Sequence, residues 1–215
     1  MQLIGMLDSP YVRRVAITLR LLGLPFEHLP LSVFRHMDRF HAINPVIKVP
    51  TLVCDDGAPL MDSGLIIDWL ETLAGRSLWP AGPVARLRAL RRAGLALAAC
   101  EKTVQIVYEH EVRPADKVHA PWLERVVQQQ RAALRALDAA IAEAPPARDA
   151  ADLAHDGLLA TVLWSFLQLR PTTAATAADC PALAAHAQAV ERLPVFVEVP
   201  ADENADASTP RTARL

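Results

Sequence analysis

Residues 6–25 read MLDSPYVRRVAITLRLLGLP, and the Ser9-Pro10 pair inside them decides how the first part of the chain folds. Ahead of the pair, Leu3, Ile4, Met6 and Leu7 form an apolar run with the length of a short buried strand. Behind it, Val12, Val15, Ala16, Leu19 and Leu22 fall on one helical face, with Arg13, Arg14 and Arg20 on another. Gly23 and Pro25 stop that helix. Ser9 therefore lies at a strand-to-helix turn, where unpaired backbone N–H groups and the helix dipole favour negative charge. Two roles are open to it on this stretch alone. It is an N-cap ahead of a first-turn proline, or a hydroxyl offered to an anionic ligand.

Working outward, the first 80 residues continue as strand, helix, strand, short helix, two strands and helix. A second strand falls near residues 26–31, and Pro30 inside it argues for an edge position. A short helix over 35–43 ends at Asn44-Pro45. Then KVPTLVCDDGAPLM, residues 48–61, places two short apolar strands around Asp55-Asp56-Gly57, a hairpin signal. Leu65, Ile66, Trp69 and Leu70 mark the apolar face of a helix over about 64–73. The order βαβαββα implies one α/β layer domain over residues 1–76.

GRSLWPAGP, residues 75–83, is a Gly/Pro linker, and the pattern beyond it is all-helical. Helices are expected over about 84–108, 122–143, 156–169 and 181–193. The third is apolar nearly all round, which places it at the centre of a bundle. This helical domain spans 84–200, and the polar tail 201–215 is expected to be disordered.

The chain has 215 residues, 52% apolar and 21% charged, the composition of a soluble globular protein with room for two cores. Its formal charge of -2 gives no global attraction to nucleic acid or anionic lipid. Arg86, Arg88, Arg91 and Arg92 cluster locally, as a solvated or interfacial helix face. Cys54, Cys100 and Cys180 are odd in number and widely spaced, so neither a disulfide framework nor a zinc site is indicated. His36, His41 and the Glu109-His110-Glu111 triplet read as surface residues rather than metal ligands. Met1 leads straight into strand pattern without a signal-peptide profile, and no apolar run has membrane-spanning length. The expected location is the cytoplasm.

Three motifs now line up: S-P-Y-V at 9–12, N-P-V-I-K-V-P at 44–50 and D-S at 62–63. Followed by an all-helical second half, they resemble the glutathione transferase superfamily over residues 1 to about 200, in its serine-type, bacterial-like cytosolic form. The resemblance implies a thioredoxin-like first domain that binds glutathione and a helical-bundle second domain that supplies the electrophile pocket. Where a thiol-disulfide enzyme of this class would read C-P-Y-C, Ser9 and Val12 replace both thiols, which excludes disulfide exchange. What remains is a hydroxyl at a helix N-terminus that can donate to a bound thiolate. A cysteine-type thiol has a pKa of roughly 8.5, so such a bond and the dipole raise the thiolate fraction at neutral pH.

By the same resemblance, Ser9 is the catalytic residue. A cis Pro50 turns Val49 toward the ligand, to pair with the cysteinyl backbone through its N–H and C=O. Ser63 is at least an N-cap, and at the matching family position its hydroxyl binds the γ-glutamyl carboxylate, with Asp62 assisting at the ammonium end. Lys48 and Arg35 are candidates for the glycyl carboxylate, Arg35 also reading as a solvated helix residue. Tyr11, which packs at the helix start, and Tyr108 and Trp164 are the candidates for the electrophile pocket. The family opens its central helix with Ser or Thr three residues before an Asp; here Leu153 stands three before Asp156, leaving Asp152 or His155 as substitute caps. The implied activity is conjugation of glutathione to small hydrophobic electrophiles in detoxification, by a homodimer and without a metal. The alternatives are a glutathione-dependent isomerase or dehalogenase-like lyase, and a non-catalytic binding protein on the same fold.

Overall fold

A computed structural model of the chain describes residues 1–170, 172 and 175–202. The expected disordered tail lies, from residue 203 on, outside the described residues. The chain divides into two compact units, Met1–Ser77 together with the segment that starts at Pro194, and Leu78–Leu193.

In the first unit the order is β1 (Gln2–Ile4), α1 (Pro10–Leu22), β2 (Glu27–Leu29), α2 (Met37–Ile43), β3 (Thr51–Val53), β4 (Pro59–Leu60) and α3 (Ser63–Ala74). This is the thioredoxin-like βαβαββα order. The sheet runs β2-β1-β3-β4, with β1 parallel to β2 and antiparallel to β3, and β3 antiparallel to β4. β2 is an edge strand, as Pro30 beside it requires. Ile4, Leu31 and Phe40 of α2 form a buried cluster on one face of the sheet. Leu3 and Leu52, paired across β1 and β3, are fully buried on the other, and α1 packs on α3.

Two arginines depart from the expected polar face of α1. Arg13 and Arg14 are both buried. Arg13 donates from Nε to the Val199 carbonyl at 2.8 Å, and its guanidinium lies 5.4 Å from the Phe196 ring centroid. Phe196 belongs to α8 (Pro194–Val197), which packs on α1. The stretch from Pro194 is thus part of the first unit, rather than the end of a helical domain running to residue 200.

The second unit holds α4 (Pro83–Val107), a π-helical turn (Tyr108–Val112), a 3-10 turn (Ala115–Lys117), α5 (Ala120–Glu143), α6 (His155–Gln168) and α7 (Pro181–Val190). α4 turns Ala89, Ala93, Ala96, Cys100 and Thr103 inward, small residues that allow close helix approach. Thr103 accepts from Gln130 Nε2 of α5 at 2.8 Å, so the buried polar pair is matched. α6 is buried along nearly its whole length, as its apolar circumference predicts.

Three expectations for this unit are corrected. Arg92 is no part of a solvated cluster: it is buried, with Nε 2.6 Å from Asp156 Oδ2, and it donates to the Ala144 carbonyl at 2.7 Å. The N-cap of α6 is Ala154, which makes no side-chain capping bond, while Asp152 lies two residues ahead of it and His155 is already the first helical residue, so neither occupies the cap position. Glu109 is buried rather than at the surface, because the wider π-helical turn carries it inward, where it pairs with Arg113 at 2.9 Å.

At the N-terminal end of α6, His186 Nε2 lies 3.0 Å from the Gly157 carbonyl, to which it must donate. Burial holds its pKa below the usual histidine range, which keeps the ring neutral.

Candidate functional site

The S-P-Y-V turn, the N-P-V-I-K-V-P loop and the D-S pair come together in the first unit through three small contacts. Gly5, just past β1, has φ +136°, and a Cβ placed there would lie 2.6 Å from Val12 Cγ2 and 3.0 Å from Val49 Cγ1. Only glycine therefore lets the first turn of α1 and the Val49 loop meet over the end of β1. Asn44, buried at the C-terminus of α2, donates from Nδ2 to Thr51 Oγ1 at 2.8 Å, and the same nitrogen lies 3.3 Å from Met61 Sδ. It thus ties the loop before β3 to the residue preceding Asp62-Ser63. Sequence reasoning missed Gly5, Asn44 and Thr51 as supports. The signal for Asn44 was its place before Pro45, which marks it only as a helix stop.

Ser9 occupies the N-cap position of α1, with extended φ and ψ of -75° and 124°, yet its side chain makes no capping hydrogen bond. Its backbone carbonyl accepts from Arg13 N at 3.0 Å, so the cap geometry is met by the main chain alone. The hydroxyl remains available beside the unpaired N–H groups of the helix start.

At the second motif, the Val49-Pro50 peptide is cis. Neither the N–H nor the C=O of Val49 has a hydrogen-bond partner among the described residues. Lys48, next to it, is exposed, as is Arg35, and neither has an acidic partner among the described residues.

The third motif corrects one assignment. Asp62, not Ser63, is the N-cap of α3: its Oδ1 accepts from Gly64 N at 2.9 Å and from Leu65 N at 3.4 Å. Ser63 is the first helical residue, and its side chain is largely buried without a hydrogen bond among the described residues. With capping done by its neighbour, the Ser63 hydroxyl is not used to cap α3 and sits at a helix start, where negative charge is favoured.

Of the three pocket candidates, Tyr11 lies in the first turn of α1 and is partly buried. In the second unit, Tyr108 opens the π-helical turn and is 45% exposed, while Trp164 on α6 is partly buried. Cys54, Cys100 and Cys180 are free thiols, and no cluster of His, Cys, Asp or Glu suited to a metal occurs among the described residues. Burial pushes the Cys180 thiol up to about 11, which makes it inert. Among the described residues no helix is long and apolar enough to cross a membrane.

The first unit is thioredoxin-like, with Ser9 and Val12 at the start of α1, and a helical unit follows it. Residues 3–78 match the family described as glutathione S-transferase, N-terminal domain. An uncharacterized GST-like protein of Escherichia coli K12, YibF, is 26% identical over 184 residues, 85% of this chain and 90% of that one. The crystal structure of a glutathione S-transferase from Methylobacterium radiotolerans, complexed with glutathione sulfonate, aligns over 100% of this chain and 98% of its own, with TM-score 0.82 and 26% identity. A maleylacetoacetate isomerase from Methylobacterium extorquens, with malonate and glutathione bound, aligns over 93% of this chain and 95% of its own, with TM-score 0.68 and 26% identity. Residues 3–78 thus belong to the glutathione S-transferase N-terminal domain family, and the chain as a whole is similar to glutathione transferases of solved structure.

Proposed function

We propose that the protein is a cytoplasmic, serine-type glutathione transferase that joins the thiolate of glutathione to small hydrophobic electrophiles, a detoxification chemistry. The observation that carries this reading is Ser9, whose hydroxyl stands at the start of α1 and is not used to cap it. Glutathione would supply the sulfur nucleophile. Ser9 donates a hydrogen bond to that sulfur, and together with the α1 dipole it favours the ionised form. Val49 offers one unpaired donor and one unpaired acceptor, the complement of an extended peptide backbone. Ser63 and the first N–H groups of α3 receive the γ-glutamyl carboxylate, with Asp62 beside the ammonium. Lys48 and Arg35 answer the glycyl carboxylate. Tyr11, Tyr108 and Trp164 remain candidates for the electrophile side.

Thermal unfolding with glutathione tests the reading. At about a hundredfold its dissociation constant, glutathione should add roughly 2.7 kcal/mol of stability. No shift at millimolar ligand would remove glutathione as the substrate. Ser63→Ala should weaken binding by about tenfold, the scale of one charge-assisted hydrogen bond, while leaving the rate at saturation nearly unchanged.

A second reading, a glutathione-dependent isomerase, is favoured by the likeness to the maleylacetoacetate isomerase. Conjugation consumes glutathione in proportion to product, whereas isomerisation returns it. Titrating residual thiol after turnover on a panel of electrophiles and cis-unsaturated diketo acids separates the two.

Assembly as a homodimer is part of the proposal. On α3, Leu65, Trp69 and Leu73 recur every four residues and are 61%, 42% and 48% exposed. An apolar stripe of this kind calls for a cover. On α4, Val84, Leu87 and Leu90 are likewise exposed. Sedimentation should give a dimer at micromolar concentration, and Trp69→Glu should shift it toward monomer. A wild-type monomer would refute the assembly.

A further inference from the structure

Val49 is the residue that must present its peptide group to the ligand, and the structure shows what holds that group still. Asn44 Nδ2 donates to Thr51 Oγ1 at 2.8 Å, and Thr51 Oγ1 in turn donates to the Lys48 carbonyl at 2.6 Å. The Lys48 C=O and the Val49 N–H are two ends of one planar trans peptide, so they point in opposite directions. Pinning the carbonyl toward Thr51 fixes the direction of the N–H away from it. Thr51 is fully buried and Asn44 is 2% exposed, so solvent does not compete for either bond.

The rest of the loop is arranged around the same pair. Asn44 Oδ1 accepts from Val46 N at 3.0 Å, and the Asn44 carbonyl accepts from Ile47 N at 2.9 Å. This turn leaves Ile47 at φ +52°, in the left-handed region that a β-branched residue avoids. Such a conformation persists only where its surroundings determine it, and here Asn44 holds one side of Ile47 while Thr51 holds the other. The Nδ2 contact with Met61 Sδ extends the brace to the segment that ends in Asp62-Ser63.

We infer that Asn44 and Thr51 form a positioning relay: through the Lys48 carbonyl, the Thr51 hydroxyl aims the Val49 N–H at the backbone of a bound peptide thiol. The inference rests on the glutathione reading for the identity of that ligand, but not for the orientation of the peptide plane.

The test compares Thr51→Val, which keeps the shape and removes the hydroxyl, with Thr51→Ser, which keeps the hydroxyl. Two quantities are read: the one-bond N–H residual dipolar coupling of Val49 in the free protein, and the glutathione dissociation constant. In Thr51→Val the Val49 coupling should change while those of β1 and β3 stay fixed, and glutathione should bind about tenfold more weakly, the scale of one misaligned hydrogen bond. Thr51→Ser should restore both. An unchanged Val49 coupling in Thr51→Val, or equal losses in Thr51→Val and Thr51→Ser, would overturn the relay.

Should Thr51→Val disturb the sheet, Asn44→Asp carries the same test. Its carboxylate accepts the one hydroxyl proton and draws it from the Lys48 carbonyl. Failure of the wild type to bind glutathione would remove the ligand reading alone, since the Val49 coupling is measured without ligand.

Discussion

Replacing Ser9 by Ala should lower the conjugation rate at neutral pH by at least about tenfold while changing glutathione affinity little. The reasoning starts from the position of the hydroxyl. A serine that capped α1 would have its oxygen tied to the second or third helical N–H, and its loss would cost about 1 kcal/mol of stability. Ser9 makes no such bond, so its removal should leave the melting temperature nearly unchanged. What disappears is a charge-assisted donor to the sulfur, and the thiol pKa of bound glutathione should rise by about one unit. The sign of the pH dependence follows. A raised thiol pKa matters most below that pKa, so the loss should be largest near neutrality and shrink as the solution becomes alkaline. Following thiolate absorbance of the bound tripeptide against pH gives the comparison directly. Coincident titrations for wild type and variant would leave Ser9 with no part in ionisation. Ser9→Cys sharpens the contrast, since a thiol at this helix start should turn the protein from conjugation toward mixed-disulfide exchange.

The order of elements in the first unit was legible because each carries a local signal. Pro10 and Gly23 bracket α1, Asp55-Asp56-Gly57 marks the β3–β4 hairpin, and Pro30 identifies the edge strand. The three motifs were legible as strings, but not what joins them. Asn44 and Thr51 are ordinary residues for a helix end and a strand start, and their hydrogen bond is a tertiary fact. The same holds for the arginines. Local periodicity put Arg13, Arg14 and Arg92 outward because a cation facing an apolar core is costly. It does not report the partners that remove the cost, a carbonyl 186 residues away for Arg13 and a carboxylate 64 residues away for Arg92. At 62–63 the misassignment has a narrower cause. Asp and Ser are both good caps, and only the backbone angles at Asp62 show which one the helix uses.

Arg92→Ala should destabilise the helical unit by about 3–5 kcal/mol, the largest stability effect expected of any single substitution here. Asp156 is 1% exposed, and its Oδ2 is held at 2.6 Å by Arg92 Nε, while its Oδ1 has no hydrogen-bond partner among the described residues. The carboxylate therefore depends on Arg92 for its compensation, and truncation would leave it without a compensating partner in an apolar setting. The Ala144 carbonyl, which accepts from the same guanidinium, would lose that donor as well. No side-chain cap steadies the start of α6, so the ion pair also does the anchoring that a capping serine or threonine would otherwise share. The cost of a broken buried pair lies in the abandoned charge rather than in the strength of the pair. Arg92→Met combined with Asp156→Leu removes both charges and should recover most of the loss. Urea midpoints followed by helical circular dichroism measure all three forms. If the double variant is no more stable than Arg92→Ala, the unpaired Asp156 carboxylate is not the cause and the packing of the Arg92 stem is.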